Sequence, residues 1–258
     1  MLVLIDIGNT TVGIGLSRNH LTLDDKVYKV NTEKNKSSDE YAVTLNILFK
    51  DLPVTNVIVS SVVPELNDVF RDYFQDWFEV TPLFLGQGLK TGIKVLSDNP
   101  REVGSDLIAN VVAATELYAK TCLVVDLGTA TTFTYVENMG LKGVIITPGL
   151  STSRNALISK TSLLPQVEID LPNKLIGTTS TESIKSGLVY GHASMIDGMI
   201  GRVKKHLGNP DLKVILTGGH ARLIHPLCEQ PMVCDERLIL KGLLLIHQKN
   251  AQKPARAE

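Results

Sequence analysis

Val3-Leu4-Ile5-Asp6-Ile7-Gly8-Asn9-Thr10-Thr11 and Leu123-Val124-Val125-Asp126-Leu127-Gly128-Thr129-Ala130-Thr131-Thr132 are two versions of one pattern. Each carries an apolar run into Asp-x-Gly and then into hydroxyl-bearing residues. A short apolar run closed by turn residues reads as a buried strand. The residues just beyond alternate in both places: Val12, Ile14 and Leu16 with Gly and Ser, then Phe133, Tyr135 and Glu137 with Thr, Val and Asn. That period of two predicts a second strand returning in a hairpin. Further on, Val57-Ile58-Val59-Ser60-Ser61 and Val214-Ile215-Leu216-Thr217-Gly218-Gly219 supply another apolar run ending in small residues. The same parts therefore come twice in the same order, which is the mark of an internal repeat.

Between the strands, helical spacing covers residues 39–49, 65–77, 107–119 and 182–206. Strands alternating with helices predict an α/β fold with a mixed sheet in each half. The expected lobes are residues 1–115 and 116–258. Residues 33–40 read as a loop and residues 248–258 as a frayed tail.

Composition removes several function classes. The 258 residues hold 26 basic against 27 acidic side chains, so no overall field draws nucleic acid or an anionic membrane. The apolar run Leu2 to Ile5 is too short for a signal peptide or a membrane span, which predicts a cytoplasmic protein. Cys122, Cys228 and Cys234 form no CxxC pair and read as reduced, packed thiols. The six histidines are scattered, and no P-loop, HExxH or GxSxG string occurs.

Chemistry concentrates at the repeated turns. Gly8 lets the backbone turn tightly enough for amides to approach phosphate oxygens, with Asn9, Thr10 and Thr11 as neutral donors. Asp6 could hold hydrated Mg²⁺, an ion that takes few protein oxygens, or could satisfy turn amides only. Two such hairpins could grip one polyphosphate, and Thr217-Gly218-Gly219 offers bare backbone for an adenine ring. Asp106 in Asn99-Pro-Arg-Glu-Val-Gly-Ser-Asp106 opens an apolar helix, either as a cap or as a general base for an alcohol. Thr147-Pro148-Gly149-Leu150 and Ile176-Gly177-Thr178-Thr179-Ser180-Thr181-Glu182 could line a substrate pocket, and the second also fits a capping box.

Taken in order, these segments resemble the type III pantothenate kinases of the acetate and sugar kinase, Hsp70 and actin superfamily. The resemblance implies duplicated ribonuclease H-like (actin-like) lobes and a homodimer. It also implies transfer of the ATP γ-phosphoryl to the primary alcohol of pantothenate, the first step of coenzyme A biosynthesis. By matching position, Asp6, Ile7, Gly8, Asn9, Thr10, Thr11, Val12 and Gly13 would face the ATP phosphates and Thr129 would contact ATP. Asp126 would bind a monovalent cation, K⁺ or NH₄⁺, beside the Mg²⁺ that accompanies the nucleotide. Asp106 would be the base, with Gly104, Ser105, Leu107 and Thr181 on the pantothenate side.

The family usually shows Gly-Ala-Asp-Arg where this chain has Gly104-Ser105-Asp106-Leu107, so Ser105 stands where an alanine is usual, and two further positions depart in ways that bear on the substrate. Leu107 stands where an arginine is usual, and leucine donates no hydrogen bond to a carboxylate. Ser97 stands where a tyrosine is usual. The loss of one charge-assisted bond is worth roughly 1.5 to 3 kcal/mol unless Lys94, Lys142, Arg154 or Lys185 replaces it. A kinase for another small alcohol, or a nucleotide-binding regulatory protein with weakened catalysis, is therefore weighed beside the pantothenate kinase.

Overall fold

The computed structural model describes residues 1–49, 51–86, 88–161 and 164–251. The chain divides into Met1–Ala113 with Leu238–Glu258, and Ala114–Arg237. In the first unit, β1 (Leu2–Ile7) is flanked by the antiparallel β2 (Thr11–Ser17), which pairs with β3 (Val27–Asn31). After α1 (Ser38–Phe49), β4 (Asn56–Ser61) runs parallel to β1 on its other side. A 3₁₀ turn (Pro64–Leu66) and α2 (Asn67–Phe78) lead to the short parallel edge strand β5 (Leu83–Phe84). The sheet order is β3-β2-β1-β4-β5. A two-residue strand β6 (Lys94–Val95) and a 3₁₀ turn (Pro100–Glu102) precede α3 (Ser105–Leu117).

The second unit repeats that order. β7 (Cys122–Leu127) pairs antiparallel with β8 (Ala130–Glu137), which pairs with β9 (Gly140–Pro148). Beyond α4 (Leu150–Ser159) and the long α5 (Ser180–Leu207), β10 (Lys213–Thr217) lies parallel to β7. The short α6 (Ala221–Ile224) leads to β11 (Val233–Cys234), parallel to β10. Within this unit the order β9-β8-β7-β10-β11 matches that of the first, strand for strand.

Alternation assigns the faces of each sheet. Val3, Ile5 and Ile7 of β1 join Val57 and Val59 of β4 in a core with Tyr41, Phe70, Tyr73 and Phe74 from α1 and α2. Leu2, Leu4 and Ile58 face the other way, onto Ala109 and Val112 of α3 and Leu240, Leu243 and Ile246 of α7 (Leu238–Ala251). In the second unit, Leu123, Val125 and Leu127 pack with Val189, Ala193 and Ile196 of α5.

Three expectations about extent are revised. Residues 238–251 group with the first unit instead of the second, because the apolar side of α7 is covered by β1, β4 and α3. The loop at 33–40 ends at Ser37, where a reciprocal box starts α1: Glu40 N–H donates to Ser37 Oγ at 3.3 Å and Ser37 N–H to Glu40 Oε2 at 2.9 Å. Residues 248–251 continue α7, and the remainder of the expected tail lies outside the described residues.

The approach of α7 to α3 is close enough to require glycine. A Cβ at Gly242 would overlap the Ala109 carbonyl. Gly242→Ala gains about 1 kcal/mol of helix propensity, yet overpacking of this kind costs about 1 to 3 kcal/mol. We expect a net fall in the denaturation midpoint with an unchanged m-value, read by urea unfolding.

Candidate functional site

The last buried residue before the β1 turn is Ile7, and Asp6 stands half-buried just ahead of it. The ladder partners of Asp6 are Gly13 on β2 and Ser60 on β4, so the three form one row across the sheet. Alternation puts the Asp6 side chain on the face shared with Leu4, the side covered by α3 and α7. The turn itself is held twice. Gly8 N–H donates to Thr11 O at 3.1 Å, and Thr32 ties it from the end of β3 by donating Oγ1–H to Gly8 O at 2.6 Å and N–H to Thr10 O at 3.0 Å. Asn9 and Thr10 are exposed at its tip, while Ile7 and Val12 are buried beneath it.

On the same face, α3 begins against the end of β4. Ser105 Oγ lies 3.0 Å from Ser60 Oγ, accepts from Ser61 N–H at 3.0 Å and donates to Ser61 O at 3.0 Å. The next residue, Asp106, is in the first turn of the helix, and its Oδ1 accepts the Leu107 N–H at 2.8 Å. Burial raises the Asp106 carboxyl above its ordinary range, and the amides of Leu107 and of Asp106 itself oppose that rise. Gly104 has no room for a side chain, because a Cβ there would overlap Asp106 Oδ1. The Leu107 side chain offers no polar atom, and Ser97 Oγ is buried without a hydrogen-bond partner among the described residues.

The second unit builds a related turn with different supports. Asp126 pairs with Thr132 on β8 and Thr217 on β10, again one row across the sheet. The turn is one residue shorter, since Leu127 pairs with Thr131 where Ile7 pairs with Val12. Gly218, at φ +98°, lies directly against Asp126 Oδ1 and the Leu127 backbone. Thr129 O accepts from Gly149 N–H at 3.1 Å and from Thr152 Oγ1–H at 2.6 Å, which fixes the turn to the start of α4. Behind it, Thr131 Oγ1 and His192 Nε2 of α5 are 2.9 Å apart in the core. Thr132 Oγ1, on the Asp126 face, is buried without a hydrogen-bond partner among the described residues.

The sequence profile of the type III pantothenate kinases matches residues 2–202. The chain belongs to that family. It is 42% identical to the type III pantothenate kinase of Acholeplasma laidlawii over 97% of its own length and 99% of that protein. It is 39% identical to that of Halalkalibacterium halodurans, over 97% and 100%. Component A of (R)-2-hydroxyglutaryl-CoA dehydratase from Acidaminococcus fermentans superposes with a TM-score of 0.54 at 13% identity, covering 97% of this chain and 99% of that one. That likeness concerns the fold alone, a pair of ribonuclease H-like, actin-like lobes with mixed sheets.

In this type III pantothenate kinase the stretch at residues 176–182 borders a groove of about 740 Å³ within the second unit. Gly177, Thr178, Thr179 and Ser180 line it with Ser153, Leu157 and Leu164, a size common for small-molecule sites. Thr181 is not among its lining residues. Thr179 caps α5, its Oγ1 accepting Glu182 N–H at 3.3 Å. The reciprocal half of the expected capping box is absent, because Glu182 accepts the Asn173 N–H at 2.7 Å instead. Thr147-Pro148-Gly149 ends β9 and starts α4 against the Thr129 turn. Sequence reading missed the support from Ser60, Thr32 and His192. A hydroxyl or imidazole bonded across many residues leaves no local pattern.

This geometry has two measurable consequences. Burial, with His220 nearby, lowers the His192 pKa from 6.5 to about 4. The unfolded chain then binds the extra proton first, so stability is full above 6.5 and falls as pH drops toward 4. The loss reaches about 3 kcal/mol, and His192→Gln should flatten that part of a pH series of thermal melts. Gly104→Ala should displace the Asp106 carboxylate and lower turnover at least about tenfold, with a far smaller change in melting temperature.

Proposed function

We propose that the chain transfers the ATP γ-phosphoryl group to the primary alcohol of pantothenate, giving 4′-phosphopantothenate and ADP. The observation that carries this reading is the half-buried, first-turn Asp106 with a raised pKa, in a chain whose family is named for that activity. A base needs its pKa moved toward working pH while it remains ionised there. The Asp106 carboxylate accepts the alcohol proton as the alcohol oxygen bonds to the γ-phosphorus and the bond to the β,γ-bridging oxygen breaks. Phosphoryl transfer asks mostly for positioning and charge neutralisation. Asp6 to Gly13 are assigned to the ATP phosphates, through the amides and hydroxyls of a turn that Thr32 holds still. Thr129 is assigned to the nucleotide, with its carbonyl already fixed by Gly149 and Thr152.

Among the described residues no three His, Cys, Asp or Glu side chains cluster to hold a metal. We assign Asp6 to a place beside an Mg²⁺ that would be held mainly by phosphate and water and would supply charge neutralisation. A monovalent cation, K⁺ or NH₄⁺, fits the Asp126 row, where the unpartnered buried Thr132 hydroxyl offers an oxygen next to a carboxylate. A homodimer in the cytoplasm completes the reading. Leu175 and Ile176, 63% and 83% exposed, provide apolar surface for a second copy. No described helix is long and apolar enough to cross a membrane, and a net charge of −1 gives no pull toward nucleic acid.

A second reading, an alcohol substrate without a carboxylate, is favoured by the engagement of the candidate cations. Lys142 pairs with Glu137, Lys185 with Asp170, and Arg154 bonds Asn155 and the Val167 carbonyl. Of the four, neither the Lys94 ammonium nor the Arg154 guanidinium has an ion-pair partner among the described residues. ADP release with ATP, Mg²⁺ and K⁺, with product identified by mass spectrometry, decides between pantothenate and a panel of neutral alcohols. Asp106→Asn should lower kcat by about 10² to 10⁴ while ATP affinity stays within about twofold. In the wild type, kcat should fall as pH drops through the raised Asp106 pKa, an acidic limb above the usual carboxylate range. Full turnover in Asp106→Asn would remove the base assignment.

A further inference from the structure

A serine hydroxyl has one proton to give and two lone pairs to accept with. Ser105 Oγ meets three partners, and two have fixed roles: the Ser61 N–H can only donate and the Ser61 carbonyl can only accept. The single Ser105 proton therefore goes to Ser61 O, and Ser60 must donate its own hydroxyl proton to the second lone pair. The hydroxyl is saturated by β4, with no capacity left for a ligand.

The reason for this bond lies at the sheet edge. On β4, residues 57, 59 and 61 turn their N–H and C=O toward β5, as shown by Leu85 N–H donating to Val59 O at 2.7 Å. The strand β5 pairs only with Ile58 and Val59. Ser61 is the next residue on that edge, past the end of its neighbour. One oxygen atom from α3 takes the place of the missing strand by bonding both of its backbone groups. The clamp connects the neighbours of two candidate-site carboxylates, Asp6 and Asp106. Ser60 is the row partner of Asp6, and Ser105 precedes Asp106 in the chain.

We infer that Ser105 is a positioning residue: its hydroxyl, with that of Ser60, locks the first turn of α3 onto the end of β4 and so sets where the Asp106 carboxylate stands relative to Asp6. This rests on the reading of Asp106 as base, and it moves Ser105 from substrate contact to support.

The test compares wild type, Ser105→Ala, Ser60→Ala and the double variant. Ser60→Ala removes one bond only and serves should Ser105→Ala fold poorly. Expected is a fall in kcat of about tenfold for Ser105→Ala, with KM for ATP within about twofold and an acidic limb of kcat shifted to lower pH. The shift arises because a loosened first turn admits water to Asp106 and relieves its desolvation. The double variant should be no worse than Ser105→Ala, since both act through one oxygen. Amide exchange at Ser61 and Leu107 should quicken in Ser105→Ala. Unchanged kcat and pH limb, or a lower melting temperature with both retained, would overturn the inference. If the wild type turns over no alcohol, the kinase reading fails by itself, and unchanged exchange at Ser61 and Leu107 would then refute the clamp.

Discussion

A strand buried on both faces can carry a charged side chain only where it ends. β1 has a neighbour on each side and a hydrophobic layer above and below, so Leu2 to Ile5 are fully enclosed. An ionised carboxylate within that run would have to give up water without repayment. Asp6 is tolerated because the chain turns at Gly8, and the half-buried position keeps one side open. The requirement repeats at Asp126, at the end of the equally enclosed β7. Placement of both carboxylates is thus a consequence of core burial, and the surrounding turns, rows and helix starts are arranged about it.

Holding those turns is a separate problem, and each unit answers it in its own way. In the first, Thr32 ties the turn from the adjacent strand, and Ser60 and Ser105 close the end of β4 with hydroxyls. In the second, Thr129 is fixed by the start of α4 and Thr131 by an imidazole on the opposite face of the sheet. Gly149 and Gly218 are needed there because backbone or carboxylate oxygens occupy the space of a Cβ. Duplication therefore preserved topology and the Asp row, while the polar contacts that stiffen the row diverged. A row partner is glycine or serine around Asp6 but threonine on both sides of Asp126.

Most of this architecture could be read from the chain. Alternating and continuous apolar runs marked β1, β2, β4, β7, β8 and β10, and the matched order of parts marked the repeat. The long α5 was visible from its spacing, and its start could be placed by Thr179. Two-residue strands such as β5 and β11 were not visible, because so short a ladder has no period to detect. The grouping of α7 escaped notice for another reason. Its leucines say that it is buried, and nothing local says against which sheet. Gly242 was the one trace of that contact. At the candidate site, Asp6 and Asp126 were legible because the same Asp-x-Gly closes an apolar strand twice, whereas Asp106 opens an apolar helix, where an acidic residue is also an ordinary cap. Ser60 was silent, since its bond to Ser105 spans 45 residues.

The groups proposed for chemistry and those proposed for recognition are built to different tolerances. Asp106 accepts the Leu107 amide, stands against Gly104 with no space for a Cβ between, and follows Ser105, whose hydroxyl is saturated by the end of β4. A change to any of these disturbs reacting geometry, where displacement of about an ångström is costly. The side chains of Leu107 and Ser97 make no bond within that frame. The side chains at 97 and 107 can therefore differ from the family pattern without breaking a bond that holds Asp106. A transfer step held by these bonds beside a selection step outside them is what their placement predicts.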